Sequence, residues 1–193
     1  MRKFEKIGGA IVFLLFLLRV FIGTDFNVVL RLGLLFLSLF YLWFGFFLFN
    51  RIGFLDLLNK EARSKLNAFT ITVGIIMGIV YSFCILSIIY VIYFYALMQF
   101  LIVTAAISII ATTLLIGVYN TLNMPLQKFY NQFYKRSLII GSVIIALWHT
   151  PIDKRLDILF KKHPDFIDAY KEHRENPSEQ NLEKLKEARS LFK

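Results

Sequence analysis

The chain predicts an all-α fold: a polytopic membrane helix bundle of four spanning helices arranged as two hairpins. A short fifth apolar segment, re-entrant or interfacial, and a small cytoplasmic helical tail complete it. Three observations lead there. Hydrophobic residues make up 58% of the 193 and charged residues only 18%, outside the range of soluble globular domains. No Asp, Glu, Lys or Arg occurs from Leu66 to Gln127, room for two crossings at roughly 20 apolar residues each. The positive charge is also unevenly placed. Residues 1–149 hold 12 Lys/Arg against 4 Asp/Glu, whereas residues 150–193 hold 10 against 9.

The opening MRKFEKIGGAIVFLLFLLRVFIG has the basic-then-apolar order of a signal peptide. No small-x-small cleavage site follows and a second apolar run begins at once, so residues 7–23 read as a retained first helix. TDFN (24–27) is a tight turn, and 28–49 returns as the second helix. RIGFLDLLNKEARSKLN (51–67) is basic and amphipathic, with Ile52, Leu55 and Leu58 on one side and Glu61 and Lys65 paired at i,i+4. It reads as an interfacial helix. A second hairpin follows, 70–93 and 98–118, around an apolar turn near Phe94–Leu97. GAIVF (9–13) and GIVYS (78–82) hint at an internal repeat.

Segment 137–149 is harder to place. Its apolar run Leu138–Trp148 lies between Lys135–Arg136 and Lys154–Arg155. Eleven residues give about 16 Å of helix, roughly half of a ~30 Å hydrocarbon core. Thr150-Pro151-Ile152-Asp153 reads as a fresh helix start, with Thr150 as N-cap. The run is therefore expected to lean into the bilayer rather than cross it. Residues 150–193 then divide at Pro164 and Pro177 into three short amphipathic helices. Their apolar residues, Leu156, Phe160, Tyr170, Leu182 and Leu185 among them, need the bundle, another copy or a partner to be covered.

Lys and Arg cluster before the first helix, between the hairpins and after the second, and are absent from both hairpin turns. The positive-inside tendency puts those clusters in the cytoplasm. Richness in Ile, Phe, Lys and Asn points to an AT-rich bacterial coding sequence, hence to the cytoplasmic (inner) membrane. Anionic headgroups are the natural partner of the basic flanks. No nucleic-acid partner is expected, because the mixed-sign tail offers no basic face.

Chemistry-bearing motifs are sparse. GxxxxGK[ST], GxGxxG, HExxH and GxSxG are all missing, and no cofactor is expected. His163, Asp165, Asp168 and His173 could be drawn into a metal site, but Pro164 interrupts their spacing. Cys84 is the lone cysteine and reads as a buried hydrophobe. Phe36, Phe40, Phe44 and Phe47, with Tyr41 and Trp43 nearby, form an aromatic stripe read as core or lipid-facing surface. His149 beside Trp148 reads as an interfacial anchor. Arg19 and Arg31 are the charges inside the predicted spans. Snorkelling to headgroups is the ordinary account, and an inward anion or lipid-phosphate contact the functional one. Thr70, Gly74, Gly78 and Ser82 recur every fourth residue, as do Thr104, Ser108 and Thr112. Such small ridges let helices approach closely, against each other within one chain or against a second copy.

Three functions fit. One is a non-enzymatic anchor or accessory subunit that acts through protein contacts of its bundle and tail, with a homo-oligomer or another membrane or cytoplasmic protein as partner. The alternative is an oligomeric channel or pore-forming effector. The third is a lipid-handling enzyme or transporter using Arg19 and Arg31.

Overall fold

The computed structural model describes residues 2–22, 26–50, 52–53, 55–61, 66, 68–122 and 127–190, and every regular element among them is helical. The helices are α1 (Arg2–Phe21), α2 (Asn27–Asn50), α3 (Ala68–Ile92), α4 (Met98–Leu122) and α5 (Gln127–His149), followed by α6 (Ile152–Leu159), α7 (Pro164–Glu175) and α8 (Glu179–Ser190). Among the described residues, three segments are long and apolar enough to cross a membrane: Asn27–Asn50, Ala68–Ile92 and Met98–Thr121. This is the make-up of a transmembrane helix bundle.

Of the amphipathic stretch 51–67, the described part includes a short 3-10 turn at Leu55–Leu58. The Gly53 N–H donates to Asp56 Oδ2 there, and Leu55 and Leu58 are exposed. Lys65 of the expected Glu61–Lys65 pair lies outside the described residues, as do Thr24 and Asp25 of the first hairpin turn.

Two boundaries differ instructively from the sequence expectation. The last apolar segment is not a short piece at 137–149 but the C-terminal part of the 23-residue α5. Its polar N-terminal half is helical because Tyr130, Phe133, Ser137, Gly141 and Ile144 fall on one side and are all buried, the i, i+3, i+7 pattern of a packed helix. At the other end, α6 starts at Ile152 with Pro151, not Thr150, in the cap position and without a side-chain cap bond. The Pro151 carbonyl instead accepts the Arg155 N–H at 3.0 Å.

Contacts divide the chain into two compact units, Met1–Gly9 with Leu34–His149, and Ala10–Gly33 with Thr150–Lys193. Sequence places a single division at 149/150; here the far part of the first hairpin groups with the tail.

In the first unit α3, α4 and α5 pack on one another. Phe69 stacks on Tyr119 with centroids 3.7 Å apart, and Ile109 Cδ1 lies where α5 has only Gly141. The turn between α3 and α4 is tight enough to force Phe94 (φ 51°) and Leu97 (φ 65°) into the left-handed region. α2 crosses α3 at Gly45 and Gly78, where a Cβ built on Gly45 would lie 2.5 Å from Gly78 Cα. Only hydrogen fits there. The aromatic stripe runs up α2 as a ladder, Phe36–Phe40–Phe44–Phe47, with centroids 5.2–6.4 Å apart. Phe36 and Trp43 are exposed, whereas Phe40, Phe44 and Phe47 are half-buried.

In the second unit Val12 and Leu15 of α1 pack over Gly33 of α2, and Leu30 is fully buried. The tail helices close around Phe160 and Phe166, whose rings are 4.5 Å apart. Ser178 caps α8, its Oγ accepting the Asn181 N–H at 3.2 Å. Ion pairs Asp153–Arg174 (2.9 Å) and Lys184–Glu172 (3.0 Å) tie the tail helices at the surface.

Candidate functional site

The main polar feature of the first unit is built by four helices. α1 supplies Glu5, α2 Tyr41, α3 Tyr81, and α5 Arg136 and Ser137. Arg136 grips the Glu5 carboxylate with both edges of its fork: Nε donates to Oε1 at 2.5 Å and Nη2 to Oε2 at 2.6 Å. The Tyr41 hydroxyl donates to Glu5 Oε1 at 2.7 Å. Arg136 also lies over the Phe49 ring, 5.1 Å from its centroid. Next to it, Tyr81 donates to the Phe133 carbonyl at 3.2 Å and shares a 2.7 Å hydrogen bond with Ser137. Tyr41 and Tyr81 meet edge to face.

Burial explains why the set is so complete. The Arg136 and Glu5 side chains are 12% and 11% exposed, and a charge taken out of water must be paired and hydrogen-bonded to be tolerated. Every other Asp or Glu among the described residues is exposed. The one shielded carboxylate therefore has both oxygens committed to a neighbouring helix, an arrangement suited to pinning helices rather than moving protons. Sequence reasoning missed this cluster. Its members are up to 131 residues apart, and no local spacing announces the pairing.

Of the two predicted ridges, the first packs within the chain, against α2 rather than α4. Gly74 and Gly78 sit against Phe46, Tyr41 and Gly45. Asn50 donates to the Thr70 carbonyl at 3.0 Å, and Ser82 and Ser38 share a 2.9 Å hydrogen bond. Thr104, Ser108 and Thr112 are half-buried on α4. Thr104 and Thr112 return their hydroxyls to their own helix, at the carbonyls of Phe100 and Ser108. Cys84 Sγ faces the Ala105 carbonyl at 3.8 Å, and His149 is exposed against Trp148.

Arg19 is the fully buried charge of the second unit, its guanidinium 5.1 Å above the Phe160 ring, a cation–π seat. It lines a shallow surface cleft together with Val20, Phe21, Ile22, Ile158, Leu159, Lys161 and Lys162. Arg31 is half-buried and does not line that cleft. Of the tail residues expected to await cover, Leu156, Phe160 and Leu185 are buried inside this unit, Tyr170 is half-buried, and Leu182 is exposed. Burial pulls the Arg155 guanidinium below its usual value and pushes the Tyr170 hydroxyl up.

Among the described residues no three His, Cys, Asp or Glu side chains converge as a metal site. Comparison with protein-family models, with curated proteins and with solved structures found no match.

Proposed function

We propose that the chain is a non-enzymatic integral membrane component, an anchor or accessory subunit that works by holding another protein. The observation that carries this reading is the Glu5–Arg136–Tyr41 set. The shielded carboxylate, the group most suited to proton or ion chemistry, is consumed in a bidentate pair that fastens α1, α2 and α5. The channel reading is weaker because the hydroxyls of Thr104 and Thr112 are spent on their own helix.

In this reading the chain crosses the bilayer five times, through α1 to α5. α1 and α5 are each shorter in apolar length than the other three, and each carries charges that would deter insertion alone. Pairing Glu5 with Arg136 removes one such charge from each helix. The rise from Glu5 to Arg19 is about 21 Å and from Arg136 to His149 about 20 Å, a matched pair of short crossings in a locally thinned bilayer. Arg19, near the end of α1, sits on Phe160 of the tail. In this reading the tail goes with the Arg19 end of a crossing α1. This departs from the expectation that α5 does not cross and that the tail is cytoplasmic. With the basic segments around residues 2–6, 51–65 and 128–136 inside, the near-neutral tail lies outside, where few positive charges oppose transfer.

Leu182 on α8 and Ile158 on α6 are the large apolar side chains left exposed among the described residues of the tail. A photo-cross-linker at Leu182 in living cells is expected to give one discrete heterologous adduct, and the same group at buried Leu156 none. Adducts only with its own copies, joined to ion flux through proteoliposomes of the purified chain, would replace this reading with the channel.

A further inference from the structure

We infer that the cleft between the end of α1 and the end of α6 is a seat for a phosphate group, supplied by the headgroup of an anionic lipid. The inference rests on the proposed crossing of α1.

Three features of the second unit combine there. The first is charge: Arg19, Lys161 and Lys162 line the cleft, and no carboxylate is among its lining residues. The second is preorganisation. Arg19 is 1% exposed and its guanidinium lies 5.1 Å from the Phe160 ring centroid, so the side chain is already ordered and little freedom is lost when it donates to an oxyanion. The two lysines sit in the turn Lys161–Lys162 after α6 and are exposed, free to swing onto the same group. The third is the character of the other wall. Phe21, Ile22 and Ile158 are exposed apolar side chains at the mouth of the cleft. A small soluble anion has no use for them, whereas a lipid places acyl carbons beside its phosphate.

Depth agrees with chemistry. Arg19 stands near the last turn of α1, about 3 Å of rise before its end at Phe21. In a crossing helix that is the headgroup level, where cationic side chains meet lipid phosphates. Arg19 thus has the lipid-phosphate role that the sequence left open, without Arg31 and with Lys161 and Lys162 as partners.

The test uses the full chain in a neutral detergent, titrated with phosphatidylglycerol, with phosphatidylcholine or with inorganic phosphate, and read by native mass spectrometry and thermal shift. Phosphatidylglycerol is expected to bind in preference to phosphatidylcholine. Lys161→Gln/Lys162→Gln should weaken that binding on the order of tenfold or more, since each cation near a headgroup contributes a several-fold factor. Lys186→Gln, on an exposed part of α8, should leave it unchanged. Arg19→Lys retains charge without the planar fork and should fall between. Saturation by inorganic phosphate at the same concentration as the lipid would assign the seat to a soluble anion and overturn the lipid source. No preference for phosphatidylglycerol, or indifference to Lys161→Gln/Lys162→Gln, would overturn the seat itself. Sidedness is read separately, by labelling Ser178→Cys. Labelling from the Glu5 side with lipid binding intact would refute the crossing and leave the seat standing.

Discussion

Gly45 and Gly78 set how closely α2 and α3 approach, and their environments rank the cost of adding a methyl group. A Cβ at Gly78 would stand 2.7 Å from the Tyr41 carbonyl oxygen and 3.1 Å from Gly45 Cα, all backbone. Backbone cannot step aside, so Gly78→Ala must separate the helices and stretch the Ser38–Ser82 hydrogen bond. A loss of about 1–3 kcal/mol follows from overpacking of this kind, read as a lower midpoint of thermal unfolding in detergent. Gly141→Ala is the control, because its Cβ would meet only Ile109 Cδ1 at 3.6 Å, and no loss is expected there. The opposite sign is expected at Leu97. Its φ of 65° is costly for any residue with a Cβ, while its side chain is 71% exposed and packs little. Leu97→Gly should raise the same midpoint by an amount corresponding to about 1 kcal/mol. Phe94 shares the strain but is buried, so the same change there would lose its packing.

Among elements, the informative pair is α1 and α5, of which the sequence left only the second hard to place and which the structure joins by an ion pair. Hydrophobic runs made α2, α3 and α4 legible from composition alone, since apolar periodicity is irrelevant once every side of a helix is apolar. The Pro164 and Pro177 breaks likewise marked the tail helices, and the α3 ridge marked a close crossing. Which helix that ridge meets was not legible: the sequence offered the Thr104, Ser108 and Thr112 ridge of α4 or a second copy, and only tertiary packing selects α2. The ion pair was invisible because it joins positions 131 residues apart. Its worth can be measured. Glu5→Ala or Arg136→Ala leaves one shielded charge unpaired, at a cost of about 3–5 kcal/mol. The exchange Glu5→Arg/Arg136→Glu is expected to recover a good part of that loss, because the pair is restored in reverse. A double exchange no better than the worse single variant would mean that the residues contribute by packing alone, against Tyr41 and Phe49.

At the scale of the whole chain the number of crossings decides what the tail can meet. With the Glu5 end of α1 inside, as proposed, a tail on that side could dock cytoplasmic proteins, whereas one on the far side can meet only extracytoplasmic partners and the outer leaflet. The contact between Arg19 and Phe160 links the tail to the part of α1 farthest from Glu5, and a helix that crosses cannot present both ends to one compartment. An even count would require α1 or α5 to lie along the membrane surface or to turn back within the bilayer. Yet both are unbroken helices of 20 and 23 residues, without the Pro interruption that re-entrant segments use. Cysteine mapping separates the cases in a Cys84→Ser background, where the native thiol is already buried. Lys3→Cys, at an exposed position, and Ser178→Cys, at a half-buried one, are treated with a membrane-impermeant maleimide on intact cells and on inverted vesicles. Five crossings predict opposite patterns, Ser178→Cys labelled in cells and Lys3→Cys in inverted vesicles. Labelling of both in the same preparation would leave an even count, and the matched short crossings of α1 and α5 would have to be abandoned.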